Sequence, residues 1–279
     1  LRQGHRVTAV GRSSLHKLSG HENFQYISAD TTQKGTWQNT LQEMDAVVNL
    51  AGTTIFRRWT KRCKSQIYDS RILTTRNLVK AMPDNRDVTL CSASAAGYYG
   101  GRGDKILNED ERPGDDFLAN ICIAWEKEAF QAEAKGIRVA AMRFGVVLGK
   151  SGGAIQKMLL AFKLFAGGPL GNAKQWVPWI HMDDLTAAIL FIIENPAIKG
   201  PVNFCAVEQV RNVDFAGALG NALNRPSFMP APAFMIRLIM GELGASLLNS
   251  QRPVSDKLTG YGFRFQYPDI DNALRAIVN

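Results

Sequence analysis

The sequence predicts an α/β fold with a doubly wound parallel sheet, helices covering both of its faces. Three observations predict it. Short β-branched and apolar runs recur at residues 7–10, 24–28, 46–50, 88–92 and 139–144. Longer segments with helical periodicity separate the later runs, at 61–82 and 117–135. The runs are continuously apolar, the pattern of strands buried on both faces rather than one.

Taken in order, residues 1–4 read as the last turn of a helix with a C-terminal glycine, and the first strand follows at once. After Gly149 the composition changes. Ser151-Gly152-Gly153 opens an apolar helix running to Phe165, and Gly167-Gly168-Pro169-Leu170-Gly171 is a turn-rich excursion. The core resumes at 176–180, and His181-Met182-Asp183-Asp184-Leu185 begins a helix with Asp183 as its expected N-cap. From Arg211 onward the chain reads as helical and is punctuated by Pro226, Pro230, Pro232, Pro253 and Pro268. The expected division is a core of residues 1–150 and 176–205, with a smaller lobe of 151–175 and 206–279 closing over the carboxyl edge of the sheet.

With 279 residues, 46% of them hydrophobic, the chain is long enough for one large domain or a core with a smaller lobe. No stretch approaches the roughly 18 uninterrupted apolar residues of a membrane span; the most apolar late segment is broken by Arg237 and Glu242. A soluble, cytoplasmic protein is expected. Cys63, Cys91, Cys122 and Cys205 are scattered, without the paired spacing of a metal site, so reduced thiols and no metal are expected. The formal charge of +8 favours phosphate-bearing ligands. The basic run from Arg57 to Lys64 is the strongest positive cluster; it reads first as a solvated helix start, with nucleic-acid binding a distant alternative.

In open α/β sheets ligands sit outside the carboxyl ends of the strands, so the residues just past each strand carry the function. After the first strand the chain reads Gly11-Arg12-Ser13-Ser14. An NAD site would place a carboxylate there for the ribose hydroxyls. Arg12 instead can pair with a 2′-phosphate, and Ser13 and Ser14 can donate to it, which favours NADP over NAD; the alternative is an ordinary polar loop. Asp30, after the second strand, either accepts from the adenine amine or caps its own loop. Asn49, Leu50, Ala51 and Gly52 end the third strand in small residues that let a flat cofactor approach the backbone.

At this point the chain resembles the extended short-chain dehydrogenase/reductase superfamily, which includes nucleotide-sugar epimerases and dehydratases. The residues that carry the resemblance are the Asn-Leu-Ala-Gly strand end, Ser92 through Gly100, Arg143 through Gly149, and Trp179 through Asp184. More narrowly it is similar to the atypical "epimerase family protein" (YfcH-like) branch. That match rests on Phe117-Leu118-Ala119 with Trp125-Glu126, on Gly167 through Gly171, and on Ser250-Gln251-Arg252-Pro253 with Gly262-Phe263. The resemblance implies a Rossmann-like, NAD(P)-binding core. It also implies a strand, a glycine-rich phosphate loop and most of a helix upstream of Leu1.

The chemistry implied by the resemblance uses a Tyr as general acid/base and a Lys one helical turn later to lower the phenol pKa. Aligned on Glu126, the Tyr position holds Leu118 and the Lys position Cys122, and no tyrosine in the chain has Lys four residues on. Ser94 aligns with the substrate-holding serine, and Ser92 is the near alternative with a place on the cofactor side; either also reads as a satisfied strand-end hydroxyl. Tyr98 and Tyr99 replace the missing phenol if their loop folds over the nicotinamide, or pack as aromatics under the small lobe. Cys122 reads as a buried small hydrophobe, and His181 as a structural hydrogen-bonding residue.

Two functions are therefore expected. The first is an NADP-binding epimerase or reductase acting on a nucleotide-sugar or small carbonyl substrate. The second is a catalytically degenerate NADP(H)-binding sensor or assembly factor. The expected partners are a small-molecule substrate and a second copy of the chain, with no membrane and no nucleic acid.

Overall fold

The computed structural model describes every residue except Arg2, Leu15, His16, Ser19, Ser151, Ala166 and Asn279. Arg2 in the expected first turn and Ser151 in the expected glycine turn thus lie outside the described residues. Six strands carry the fold: β1 (Val7–Gly11), β2 (Phe24–Ser28), β3 (Ala46–Asn49), β4 (Thr89–Ala95), β5 (Arg138–Phe144) and β6 (Gly200–Phe204). All pair in parallel. β3, β4, β5 and β6 form one sheet in that spatial order, and β1 pairs with β2 as a separate two-stranded ladder. Five of the six lie where the apolar runs predict them. A parallel strand needs a crossover segment to return, which is why helices fall between the sheet strands.

α1 (Lys61–Ala81) and α2 (Phe117–Phe130) cover one face, α4 (Met182–Glu194) the other, and α3 (Gly153–Lys163) lies between them in sequence. α1 starts where the Thr60 hydroxyl accepts from the Cys63 amide, and α2 where the Asp116 carboxylate accepts from Ala119. Caps of this kind contribute about 1 kcal/mol each. One core gathers Leu78, Val79, Leu90, Ala129 and Val139 beneath α1 and α2. The opposite core gathers Cys91, Met142, Ile189, Ile192, Val202 and Phe204 beneath α4. The sheet is thus buried on both faces, as continuous apolar strands require.

Three expectations need correction at their edges. The segment 117–135 leaves the α form at Phe130, continues as a 3-10 turn and ends at left-handed Gly136. The run 176–180, where the core is expected to resume, forms two short strands, Trp176–Val177 and Trp179–His181, divided at Pro178 because proline has no N–H to donate to a ladder. The N-cap of α4 is His181, whose Nδ1 accepts from the Asp183 amide at 3.2 Å; Asp183 sits inside the first turn.

Beyond β6, α5 (Asn212–Leu223), α6 (Ala233–Met240), α7 (Glu242–Leu247), α8 (Asp256–Gly260) and α9 (Ile270–Val278) follow. α5 and α9 pack Phe215, Leu219, Ala273 and Leu274 against Leu148, Phe162 and Trp179. Among the described residues no helix is long and apolar enough to cross a membrane.

Candidate functional site

The carboxyl tips of β1, β2 and β3 open onto one cleft of about 530 Å³, walled on its far side by α1. Arg12 follows β1, Asp30 through Thr32 follow β2, and Leu50 through Thr53 follow β3; all of them line it. The parallel arrangement is the cause, since parallel strands present their carboxyl ends at one edge. Arg12 is exposed there, while Ser13 and Ser14 continue along the exposed loop and do not line the cleft. Asp30 accepts from the Thr32 hydroxyl at 2.7 Å and the Thr32 amide at 3.0 Å. Those bonds, and the charge of Arg12, hold its carboxyl below the usual carboxylate range. Asp30 therefore caps its own loop and still presents a carboxylate to the cleft.

The tip of β3 is fixed from beneath. Asn49 is buried; its Nδ2 donates to Thr75 at 2.8 Å and to Ser92 at 3.3 Å, and its Oδ1 accepts from the Ala51 amide at 3.2 Å. Ser92 is buried as well and does not line the cleft. The Thr53 amide donates to Ser70 on α1 at 3.0 Å, closing the loop against the helix. Gly52 packs so closely on α1 that a Cβ there would stand 2.9 Å from Cζ of Arg71. A side chain at this strand tip would have to displace the Arg71 guanidinium.

Of the residues expected to face a substrate, Ser94 and Tyr99 are buried in a polar network. Ser94 donates to Glu126 Oε1 at 2.7 Å. Glu126 takes two bonds of 2.9 Å from Arg143. The Tyr99 hydroxyl receives a 3.0 Å bond from Arg143 and donates to Asn203 Oδ1 at 2.7 Å; the ring is fully buried, and burial pushes its hydroxyl pKa up. Tyr98 is half-buried, stacked under the Arg143 guanidinium at 3.5 Å. The two rings meet edge to face with centroids 5.4 Å apart.

Leu118 packs with Ile55, Phe56, Phe117 and Leu247 around buried Trp59, Ile67, Ile121 and Leu243. Cys122 is buried, and burial pushes its thiol up to about 12, so it is neutral at physiological pH. The basic run is divided. Arg57 lines the cleft, Arg58 faces solvent, and Lys64 pairs with Glu242. His181 is buried at its helix cap with its ring 3.9 Å from that of Tyr267.

Comparison with known proteins supplies the family. The NAD dependent epimerase/dehydratase family matches residues 1–204. The chain belongs to this family. A second match, to a domain of unknown function (DUF1731), covers residues 231–277 of this epimerase/dehydratase-family protein. It is 40% identical over 277 residues to the "Epimerase family protein SDR39U1 homolog, chloroplastic" of Arabidopsis thaliana, covering 98% of this chain and 79% of that protein. It is 35% identical over 280 residues to "Epimerase family protein YfhF" of Bacillus subtilis, covering 99% and 91%. Among solved structures, human epimerase family protein SDR39U1 (isoform 2) with NADPH superposes with a TM-score of 0.87 at 30% identity, covering 99% of this chain and 92% of that one. The Rossmann-like fold of the epimerase/dehydratase family is thus the fold of this chain.

Sequence reasoning missed the α1 wall of the cleft, formed by Gln66, Asp69, Ser70 and Thr74. A signal was present. Gln66, Ser70 and Thr74 repeat every four residues, a polar stripe on a helix whose other face is apolar.

Proposed function

We propose that the cleft binds NADP(H) and that the protein uses it on a nucleotide-linked sugar or small carbonyl substrate. One observation carries the reading: Arg12 and Asp30 stand at the tips of neighbouring strands inside a single cleft. Arg12 pairs with the 2′-phosphate, where a carboxylate would repel it. Ser13 and Ser14, beside it on the loop, donate to the same phosphate, and Asp30 accepts from the adenine amine. Leu50, Ala51 and Gly52 lie against the flat faces of the dinucleotide. A volume of about 530 Å³ fits a large part of such a ligand. When bound, the cofactor supplies hydride transfer; the chain supplies orientation and charge. NADPH in the human relative's structure supports the choice.

Calorimetric titration with NADPH and NADH, repeated with Arg12→Asp, tests this. The protein is expected to prefer NADPH, and the variant to lose that preference by about tenfold or more. Equal discrimination by both proteins would end the NADP assignment.

A second reading is a cofactor binder without hydride transfer, a sensor or assembly factor. The surroundings of Leu118 and Cys122 favour it: an apolar cluster and a neutral thiol stand where the family resemblance expects a phenol and an amine. It predicts tight NADPH binding with no oxidation of NADPH by a panel of nucleotide sugars, aldehydes and ketones. Turnover with any of them decides for the first reading.

A further inference from the structure

Arg71, in the middle of α1, is a cation without a counter-charge among the described residues. Its Nη1 donates to the Ile67 carbonyl of its own helix at 3.0 Å, and its guanidinium lies over the Trp125 ring at 5.1 Å. Nε and Nη2 have no acceptor among the described residues. They are not sealed off, because the one buried side-chain nitrogen or oxygen found without a partner there is Gln175 Oε1. None of the ion pairs among the described residues includes Arg71. Neighbouring Cys122 is a neutral thiol and supplies no counter-charge, and burial pulls Arg71 below the usual guanidinium value. Guanidinium stays protonated in proteins, so a partly desolvated cation is held here at a cost that an arriving anion relieves.

Its position says which anion. Arg71 touches Gly52, which lines the cleft, and Trp125, on the helix α2 that covers β4 and β5. Arg12 stands beyond the tip of β1, which pairs with β2 outside the β3–β6 sheet, and lines the same cleft. The two arginines therefore approach one cleft from different strand tips, Arg12 at β1 and Arg71 beside Gly52 at β3. A dinucleotide whose 2′-phosphate meets Arg12 extends its other half toward Arg71.

We propose that Arg71 binds the nicotinamide mononucleotide half of NADP(H) through its ribose and phosphate oxygens, supplying from α1 the cation that Cys122 does not supply from α2. The proposal rests on the NADP(H) reading of the cleft. It is tested by titrating the protein and its Arg71→Gln, Arg71→Met and Arg12→Asp variants with two ligands: NADPH, and adenosine 2′,5′-bisphosphate, which keeps the 2′-phosphate and lacks the nicotinamide half. Both Arg71 variants are expected to bind NADPH at least about tenfold more weakly and the bisphosphate within about twofold of wild type, while Arg12→Asp weakens both. Retained bisphosphate binding also reports that the variants are folded. Arg71 variants that bind NADPH as wild type does, or that lose both ligands equally, overturn the assignment of Arg71 and leave the cofactor reading standing. A wild-type protein that binds neither ligand overturns both.

Discussion

Arg143 and Glu126 face each other through two parallel hydrogen bonds of 2.9 Å, with side chains only 2% and 7% exposed. The pair bridges β5 to α2 and engages Ser94 and Tyr99, so it organises the interior just below the candidate site. Removing one partner leaves the other charge buried and uncompensated. Arg143→Met is expected to destabilise the protein by about 3–5 kcal/mol in urea unfolding. The double variant with Glu126→Leu should recover most of that loss. A single-variant cost below about 1 kcal/mol would mean the pair is no more than a surface bridge in energy.

Tyr99→Phe separates structural from catalytic readings of that phenol. It removes a hydroxyl bonded on both sides, to Asn203 and Arg143, and leaves those buried groups short of a partner. Stability should fall by about 1–3 kcal/mol. If turnover is found, its pH profile should be unchanged by the substitution; loss of a basic limb would restore Tyr99 as an acid/base.

His181 gives stability a pH dependence. Burial holds its imidazole below the usual value, outweighing the nearby Asp183 and Asp184 carboxylates. The unfolded chain therefore takes up the proton first. The contribution is complete above about pH 6.5 and is lost as pH falls through the lowered folded value. Protonation also removes the Nδ1 acceptor that caps α4 and puts a positive charge at a helix N-terminus. Comparing thermal midpoints of wild type and His181→Asn between about pH 5 and 8 should show a smaller decline in the variant. Parallel curves would show that this histidine does not carry the effect.

Glycine positions separate by what surrounds them. A Cβ on Gly168 would fall 2.0 Å from the Met229 carbonyl oxygen, so Gly168→Ala must push two backbone segments apart. A cost of about 1–3 kcal/mol is expected. Gly217, inside α5, has nothing within 4 Å of the same position. Gly217→Ala should raise stability by about 0.5–1 kcal/mol through helix propensity. Equal effects at the two sites would contradict the close approach at Gly168.

The strands from Val7 to Phe144 were legible because a strand buried on both faces must be apolar throughout, and that property is local. The strand tips were legible for the same reason: once the strands are parallel, Arg12, Asp30 and Gly52 have to emerge at one edge. The cap of α4 was misread, since whether His181 or Asp183 accepts the first free amide depends on ring orientation and burial, which neighbours such as Tyr267 set. Both readings of Ser94 and Tyr99 stayed open in the sequence because a hydroxyl there carries no sign of its partner. Their partners, Glu126, Arg143 and Asn203, come from 32 to 104 residues away.

The amino-acid order alone settled that a parallel, helix-covered sheet forms and which loops gather at its functional edge, because periodicity and strand direction are properties of neighbouring residues. Only the tertiary structure decided which polar groups are free to meet a ligand. Arg71 and Arg143 are both arginines on core elements; packing gave Arg143 a buried carboxylate and left Arg71, beside the cleft, with none among the described residues.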